Sequence, residues 1–275
     1  MNKEHQLIQL LKSYSSVAVA FSGGVDSSLL AKACQIALGD KAIAITAISP
    51  LMSKEEIIDA QKVAKQIGIK HHLATIDDLA NKAFTLNDKM RCYHCHIHRF
   101  NLLEKFCHQH NYQYLLEGSN ADDLSDYRPG MLALKEFAFT KSPFLELHIT
   151  KQEIRQLAKK WDLPVWNKPS SACLASRLIY GLEITPERLH QVELAENYLK
   201  QFVSGQCRVR HHDDLARIEI EVEQFSKLFT SNTYQQIEKY FKSLGFKFVT
   251  LDLSGYKKGS NNSILNISPS LLDNR

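Results

Sequence analysis

A chain of 275 residues that is 44% hydrophobic and 23% charged, with 11 glycines and 7 prolines, is neither disordered nor fibrous. It is long enough for one large domain, or for a medium domain with a smaller companion. Lysine plus arginine stand at 34 against 30 for aspartate plus glutamate, and a net charge of +4 is too small to argue for nucleic acid or a membrane surface.

In chain order, residues 1–16 form a polar, amphipathic lead-in. Val17–Ala20 reads as a short buried strand, followed by a glycine turn and an apolar helix from Ser27 to Ala37. Ala42–Ile48 is a second strand, and Ser53–Ile67 has helical spacing with Ser53 and Glu56 as a capping box. His72–Ile76 is a third strand, Arg99–His110 a helix and Tyr114–Glu117 a fourth strand. A further capped helix lies at Thr150–Trp161. Strands alternating with helices predict an α/β fold with a parallel sheet covered on both faces.

The pattern breaks at Pro164–Tyr180. Beyond it a helix opens at Thr185-Pro186-Glu187 and runs to about Val203. Arg208–His211 and Leu215–Glu221 pair as hairpin strands, a helix covers Gln224–Leu244, and Phe246–Leu253 is the last strand. The division expected is a first domain over 1–180, a small α/β domain over 181–260 and a tail over 261–275.

No basic segment followed by an apolar one opens the chain, and the longest apolar runs are strand-length, so a cytoplasmic address without membrane contact is expected. There the six cysteines are better read as metal ligands, reactive thiols or packing residues than as disulfides. Cys92 and Cys95 alone stand at ligand spacing, among His94, His96 and His98, so a structural zinc is one reading of the pair. Cys34, Cys107 and Cys207 read as packing residues.

The densest chemical signal is Ser22-Gly23-Gly24-Val25-Asp26-Ser27-Ser28 between the first strand and the first helix. The two glycines let the backbone approach an anion, and the helix start offers unpaired N–H groups and a positive dipole end. Asp26 makes sense beside phosphate if a divalent cation accompanies it. The segment is neither Walker A nor the dinucleotide fingerprint. It resembles the pyrophosphatase loop of enzymes that split ATP to AMP and pyrophosphate, which implies a PP-loop, adenine nucleotide alpha hydrolase-like first domain using ATP and Mg²⁺.

Further segments narrow the resemblance. They are Arg91-Cys-Tyr-His-Cys95, Glu117 to Gly130 with its Asp-Tyr-Arg-Pro-Gly end, Trp166 to Arg177 followed by Tyr180-Gly181, Arg208 to Glu219, and Val249 to Leu253. Together they resemble the LarE family of sulfur transferases of nickel-pincer nucleotide biosynthesis, along essentially the whole chain. The resemblance implies stepwise adenylylation of the two carboxylates of pyridinium-3,5-biscarboxylic acid mononucleotide and their conversion to thiocarboxylates. Cys173 matches the family's sulfur-bearing cysteine, which one branch consumes.

The added Cys92 and Cys95 make three thiolates with Cys173, and this resembles the branch in which a 4Fe–4S cluster carries sulfur on its open iron. Lys168 is a candidate to neutralise charge developing on pyrophosphate, or else a solvated loop lysine. The resemblance implies that the loop with Asn120, Asp122, Asp123 and Asp126 borders the active site, the three aspartates organising metal or orienting Arg128; the other reading is a bland Asp/Asn turn. Arg208 and Arg210 alternate on one strand, so both face one way. The resemblance assigns them, with Arg128, to the substrate's anionic groups, and the competing reading pairs them with acids such as Glu219. A homo-oligomer is expected. A tRNA thiolase using the same activation is the nearest alternative, and the mild charge gives it little support.

Overall fold

The computed structural model describes residues 2–125, 129–169, 172–230, 232–257 and 259–261. The chain divides into two compact units, Met1–Asp78 with Cys92–Ser171, and Leu79–Arg91 with Ala172–Arg275.

The first unit opens with α1 (Lys3–Lys12), capped by the Asn2 side chain, and β1 (Val17–Ala20). Next come α2 (Val25–Leu38), β2 (Ala42–Ile48), α3 (Lys54–Ile67) and β3 (Lys70–Thr75). The capping box of Ser53 and Glu56 forms at the start of α3, and Gly68 closes that helix in the left-handed region. The short α4 (Lys82–Thr85) belongs to the second unit, and α5 (Arg91–Gln109) follows it. Beyond α5 lie β4 (Tyr114–Leu116), α6 (Pro129–Leu134), β5 (Thr140–Lys141), α7 (Pro143–Glu146) and α8 (Lys151–Lys160).

The strands form one parallel sheet in the order β3-β2-β1-β4-β5. Alternation along the strands builds a core on each face. Val17, Val19 and Leu116 pack with α1, α2 and α8, while Ala18, Ile45 and Leu115 pack with Phe100, Leu103 and Cys107 of α5.

In the second unit, α9 (Pro186–Leu199) starts with Pro186 in its first turn and the Thr185 side chain as cap. Strands β6 (Cys207–His212) and β7 (Leu215–Ile220) form an antiparallel hairpin. After α10 (Phe225–Leu228) and α11 (Thr233–Ser243), β8 (Phe248–Leu251) joins β7 in parallel. Ala195, Leu199, Val209, Ile218, Ile237 and Phe241 form its core. Among the described residues no helix is long and apolar enough to cross a membrane.

Three expectations differ from the structure. The helix expected at Arg99 begins at Arg91, because Asp88 caps the Met90 N–H at 2.7 Å and starts the turn upstream of the apolar stripe. The helix expected over Gln224–Leu244 is interrupted, with Asn232 in the left-handed region (φ 61°) between α10 and α11. The helix expected from Ser27 is α2, which starts at Val25, two residues early, because Gly24 occupies the cap position.

Buried charge organises the second unit. Glu219 is fully buried and receives Arg210 at 2.8 Å, Arg217 at 3.2 Å and the Ser260 hydroxyl at 2.7 Å. Glu196 likewise receives Arg177 at 2.9 Å and the Val209 N–H at 3.1 Å. Removing one member of such a set strands the others in a low dielectric. Glu219→Ala is expected to lower stability by about 3–5 kcal/mol in urea unfolding.

His211 Nε2 donates at 3.0 Å to the Gln191 side-chain oxygen, whose amide nitrogen is held by the Leu244 carbonyl, and the ring packs on Phe246; burial pushes its pKa down to about 4. Its unfolded value lies higher, near 6.5, so the unfolded chain binds the extra proton between the two. Stability should therefore be lost as pH falls from about 6.5 to about 4, and His211→Gln should flatten that slope in urea midpoints measured against pH.

Candidate active site

The sheet order places its topological switch point between β1 and β4, where the chain leaves in opposite directions, the position at which open α/β sheets bind ligands. Two loops meet there, Ser22–Gly24 after β1 and the segment from Glu117 after β4. Gly23 has φ 71°, and a Cβ on it would lie 2.9 Å from the Ala60 Cα of α3. A Cβ on Gly118 would lie 3.2 Å from both the Asp26 Cβ and the Ser27 nitrogen. The loops form a cradle that only glycine permits, lying against the amino end of α2.

Within it the serines bind one another. Ser27 Oγ stands 3.2 Å from the Ser22 N–H and 3.1 Å from Ser22 Oγ, and Gly24 N–H donates to Ser22 Oγ at 3.3 Å. Ser28 Oγ is fully buried without a partner among the described residues. The loop entry is anchored from behind. Thr46 donates its hydroxyl to the Phe21 carbonyl at 2.7 Å, so the His71 Nε2, 2.8 Å from that hydroxyl, must supply a proton to it. Burial lowers the pKa of His71.

Asp26 lies in the first turn of α2. One oxygen meets the Asn120 amide at 3.5 Å and the other pairs with the Lys151 ammonium. Asn120 also donates to Asp123 at 3.0 Å, and Asp122 accepts the Lys151 backbone N–H at 2.9 Å. The structure thus brings Asp26, Asn120, Asp122 and Asp123 into one network, together with a lysine that sequence reasoning passed over. The available signal was the position of Lys151 directly after the Thr150 cap, in the first turn of a helix.

Beneath the network, Glu117 is buried and accepts from the Ser119 N–H at 2.8 Å, the Ser119 hydroxyl at 2.6 Å and the Ser142 hydroxyl. Burial raises its pKa in spite of those bonds, with Asp123 adding to the effect.

Lys168 pairs with Asp59 of α3 at 2.9 Å, and Arg155 of α8 holds the carbonyls of Trp166 at 2.7 Å and Lys168 at 3.0 Å. Asp126 and Arg128 lie outside the described residues.

Cys34, Cys107 and Cys207 are buried, whereas Cys92 and Cys95 are partly buried and Cys173 is exposed. Burial pushes the thiol of Cys107 up to about 12 and that of Cys207 up to about 11. Cys92 and Cys95 stand three apart near the start of α5, on one face of the helix. Cys173 caps a 3₁₀ turn over Leu174–Arg177, and its carbonyl is held by Arg177 at 2.9 Å. Among the described residues, no three His, Cys, Asp or Glu side chains stand together as a metal site.

The two strand arginines are used differently. Arg210 pairs with Glu219, the acid of the competing reading, but in the interior and not on a solvent face, and it also reaches the Ser176 carbonyl at 3.1 Å. Arg208 bonds the Cys207 carbonyl at 2.6 Å and lies 5.4 Å from the centre of the Tyr256 ring. Burial and then the neighbouring Arg177 lower its pKa, an environment that favours an added anion.

Gly23→Ala combines an unfavourable backbone angle with a contact against the α3 backbone, so α2 and α3 must separate. It is expected to weaken ATP binding about tenfold or more, a loss of about 1.4 kcal/mol or greater, measured by calorimetry on a chain of unchanged circular dichroism.

The model of the NAD synthase family matches residues 5–120. An uncharacterized protein of Synechocystis is 42% identical over 264 residues, 96% of this chain and 98% of its own. The pyridinium-3,5-bisthiocarboxylic acid mononucleotide synthase of Lactiplantibacillus plantarum is 34% identical over 264 residues, 96% of this chain and 95% of its own. A tRNA-specific 2-thiouridylase of Rickettsia africae is more distant, 26% identical over 200 residues, 60% of this chain and 55% of its own. With a glycine-built phosphate loop at the sheet's switch point and likeness to the Lactiplantibacillus synthase over nearly the whole of both chains, the protein belongs to the LarE family of ATP-using sulfurtransferases.

Proposed function

We propose that this enzyme adenylylates the carboxylates of pyridinium-3,5-biscarboxylic acid mononucleotide and exchanges each adenylate for sulfur, as a step in the synthesis of the nickel-pincer nucleotide cofactor. The observation that carries the reading is the similarity to the Lactiplantibacillus synthase across 96% of this chain. The phosphate loop and the exposed Cys173 supply the two chemical functions such a reaction needs.

A substrate carboxylate oxygen attacks the α-phosphorus of ATP, and pyrophosphate leaves with the electrons of the broken phosphoanhydride bond. The loop N–H groups, the α2 dipole and Lys168 offset the charge that gathers on pyrophosphate, and Asp26 would hold the Mg²⁺ that the family uses. Sulfur then attacks the activated carbonyl carbon and AMP leaves.

In one route the Cys173 thiolate is the nucleophile. Loss of its Cα proton with cleavage of the Cβ–S bond leaves a thiocarboxylate and dehydroalanine. In the other, Cys92, Cys95 and Cys173 would hold a 4Fe–4S cluster, which would supply sulfur from an external donor. Three thiols that are not deeply buried suit that donor set, and we favour this route. Arg208 would take the substrate's phosphate. We expect a cytoplasmic homo-oligomer.

Pyrophosphate release should follow addition of the pyridinium dicarboxylate nucleotide. Release with bulk tRNA instead would favour the thiouridylase-like reading that the Rickettsia relative raises. Mass spectrometry of Cys173 after turnover should find it intact with repeated product. Iron and acid-labile sulfide after anaerobic reconstitution should be lost in Cys92→Ala. A loss of H₂S from Cys173 would assign the sacrificial route.

A further inference from the structure

Lys151 has the place of a substrate-binding residue in the phosphate site. It is the first residue of α8, and that helix start is fixed three ways. Thr150 and Glu153 form a capping box, Asp122 accepts the Lys151 N–H at 2.9 Å, and Ile154 and Ala158 lie in the same core as Leu29, Leu30 and Ala33 of α2. From this backing the ammonium reaches Asp26 in the first turn of α2.

The pair is not there for stability. Both side chains remain more than a quarter exposed, at 29% and 27%, and an ion pair so wet contributes little to folding. Its effect on charge is larger. Asp26 sits at the positive end of the α2 dipole, where a carboxylate competes with phosphate for the same field. An ammonium on that carboxylate restores the positive balance. An ammonium also has three donors, and among the described residues Lys151 spends one on Asp26.

We propose that Lys151 is a nucleotide-binding residue of this enzyme, neutralising Asp26 and offering its remaining donors to the pyrophosphate part of ATP. The inference rests on the phosphate-loop part of the reading above and is independent of the sulfur route.

The test is calorimetric titration of the full chain with inorganic pyrophosphate and, separately, with adenosine. Lys151→Met should weaken pyrophosphate binding at least tenfold and leave adenosine binding unchanged, with Lys151→Arg recovering most of the loss. In an Asp26→Asn background the same change should cost measurably less, because the charge to be balanced is gone. Equal loss of both probes, or loss of neither, overturns the proposal, the first by assigning Lys151 a structural role. Should Lys151→Met fail to fold, Lys151→Gln, which keeps the stem and removes the charge, decides between the same outcomes. A parent chain that binds pyrophosphate but never releases it with the pyridinium substrate would refute the proposed substrate and leave Lys151 standing.

Discussion

The first unit depends on how closely three backbones approach at the amino end of α2. Gly23 brings the loop against α3, and Gly118 brings the segment after β4 against Asp26 and Ser27. That convergence requires the sheet order β3-β2-β1-β4-β5, because only at the reversal between β1 and β4 do two connections leave the same edge in opposite directions. The glycines are therefore determined from outside their own loops. The start of α2, the bonded pair Ser22 and Ser27 and the acid network come together because Gly23 and Gly118 let the backbones approach.

Much of this was legible from sequence, and the failures have physical causes. The strands Val17–Ala20 and Ala42–Ile48 read correctly because a strand buried on both faces is an uninterrupted apolar run. The Ser53 capping box and the Thr150 cap were visible because their chemistry is local. The start of α5 was not, since Arg91-Cys-Tyr-His-Cys-His has no apolar stripe and the capping Asp88 is not followed by one. The membership of residues 79–91 in the second unit is a purely long-range fact. The Asn87 amide binds the carbonyls of Ile179 at 2.8 Å and Leu182 at 2.7 Å, and no periodicity reports such a contact. Lys151 escaped notice for the same reason, as its partner is 125 residues away.

The divergence of Arg208 and Arg210 shows what alternation can and cannot say. Two residues apart on β6 they leave the sheet on one face, and register places Arg208 opposite Glu219 and Arg210 opposite Arg217. Yet buried Glu219 is taken by Arg210, diagonally across the pair, and by Arg217, two residues away on its own strand. The two cations on Glu219 are balanced because Asp252 takes Arg217 as well. Arg208 lies beside Arg177, whose own carboxylate is Glu196, and finds a carbonyl and the Tyr256 ring in place of an acid. An environment with one more guanidinium than carboxylate is costly when empty and favourable to an anion.

Cysteine placement follows the same logic of cost. A thiolate in an apolar core is expensive, which is why Cys34, Cys107 and Cys207 all have thiol pKa values raised by burial and behave as small apolar side chains. Chemistry that needs thiolates has to draw on the cysteines that are not deeply buried, Cys92, Cys95 and Cys173. Two of these are spaced three apart on a rigid helix, and the third caps a turn whose carbonyls are clasped by Arg177. That clasp bonds the Cys173 main chain and leaves its side chain outside, so the residue is fixed in position while its sulfur stays exposed. Either role proposed for Cys173, cluster ligand or thiolate nucleophile, needs that combination, because a buried thiol would have no approach and a mobile one would lose the advantage of being held in place.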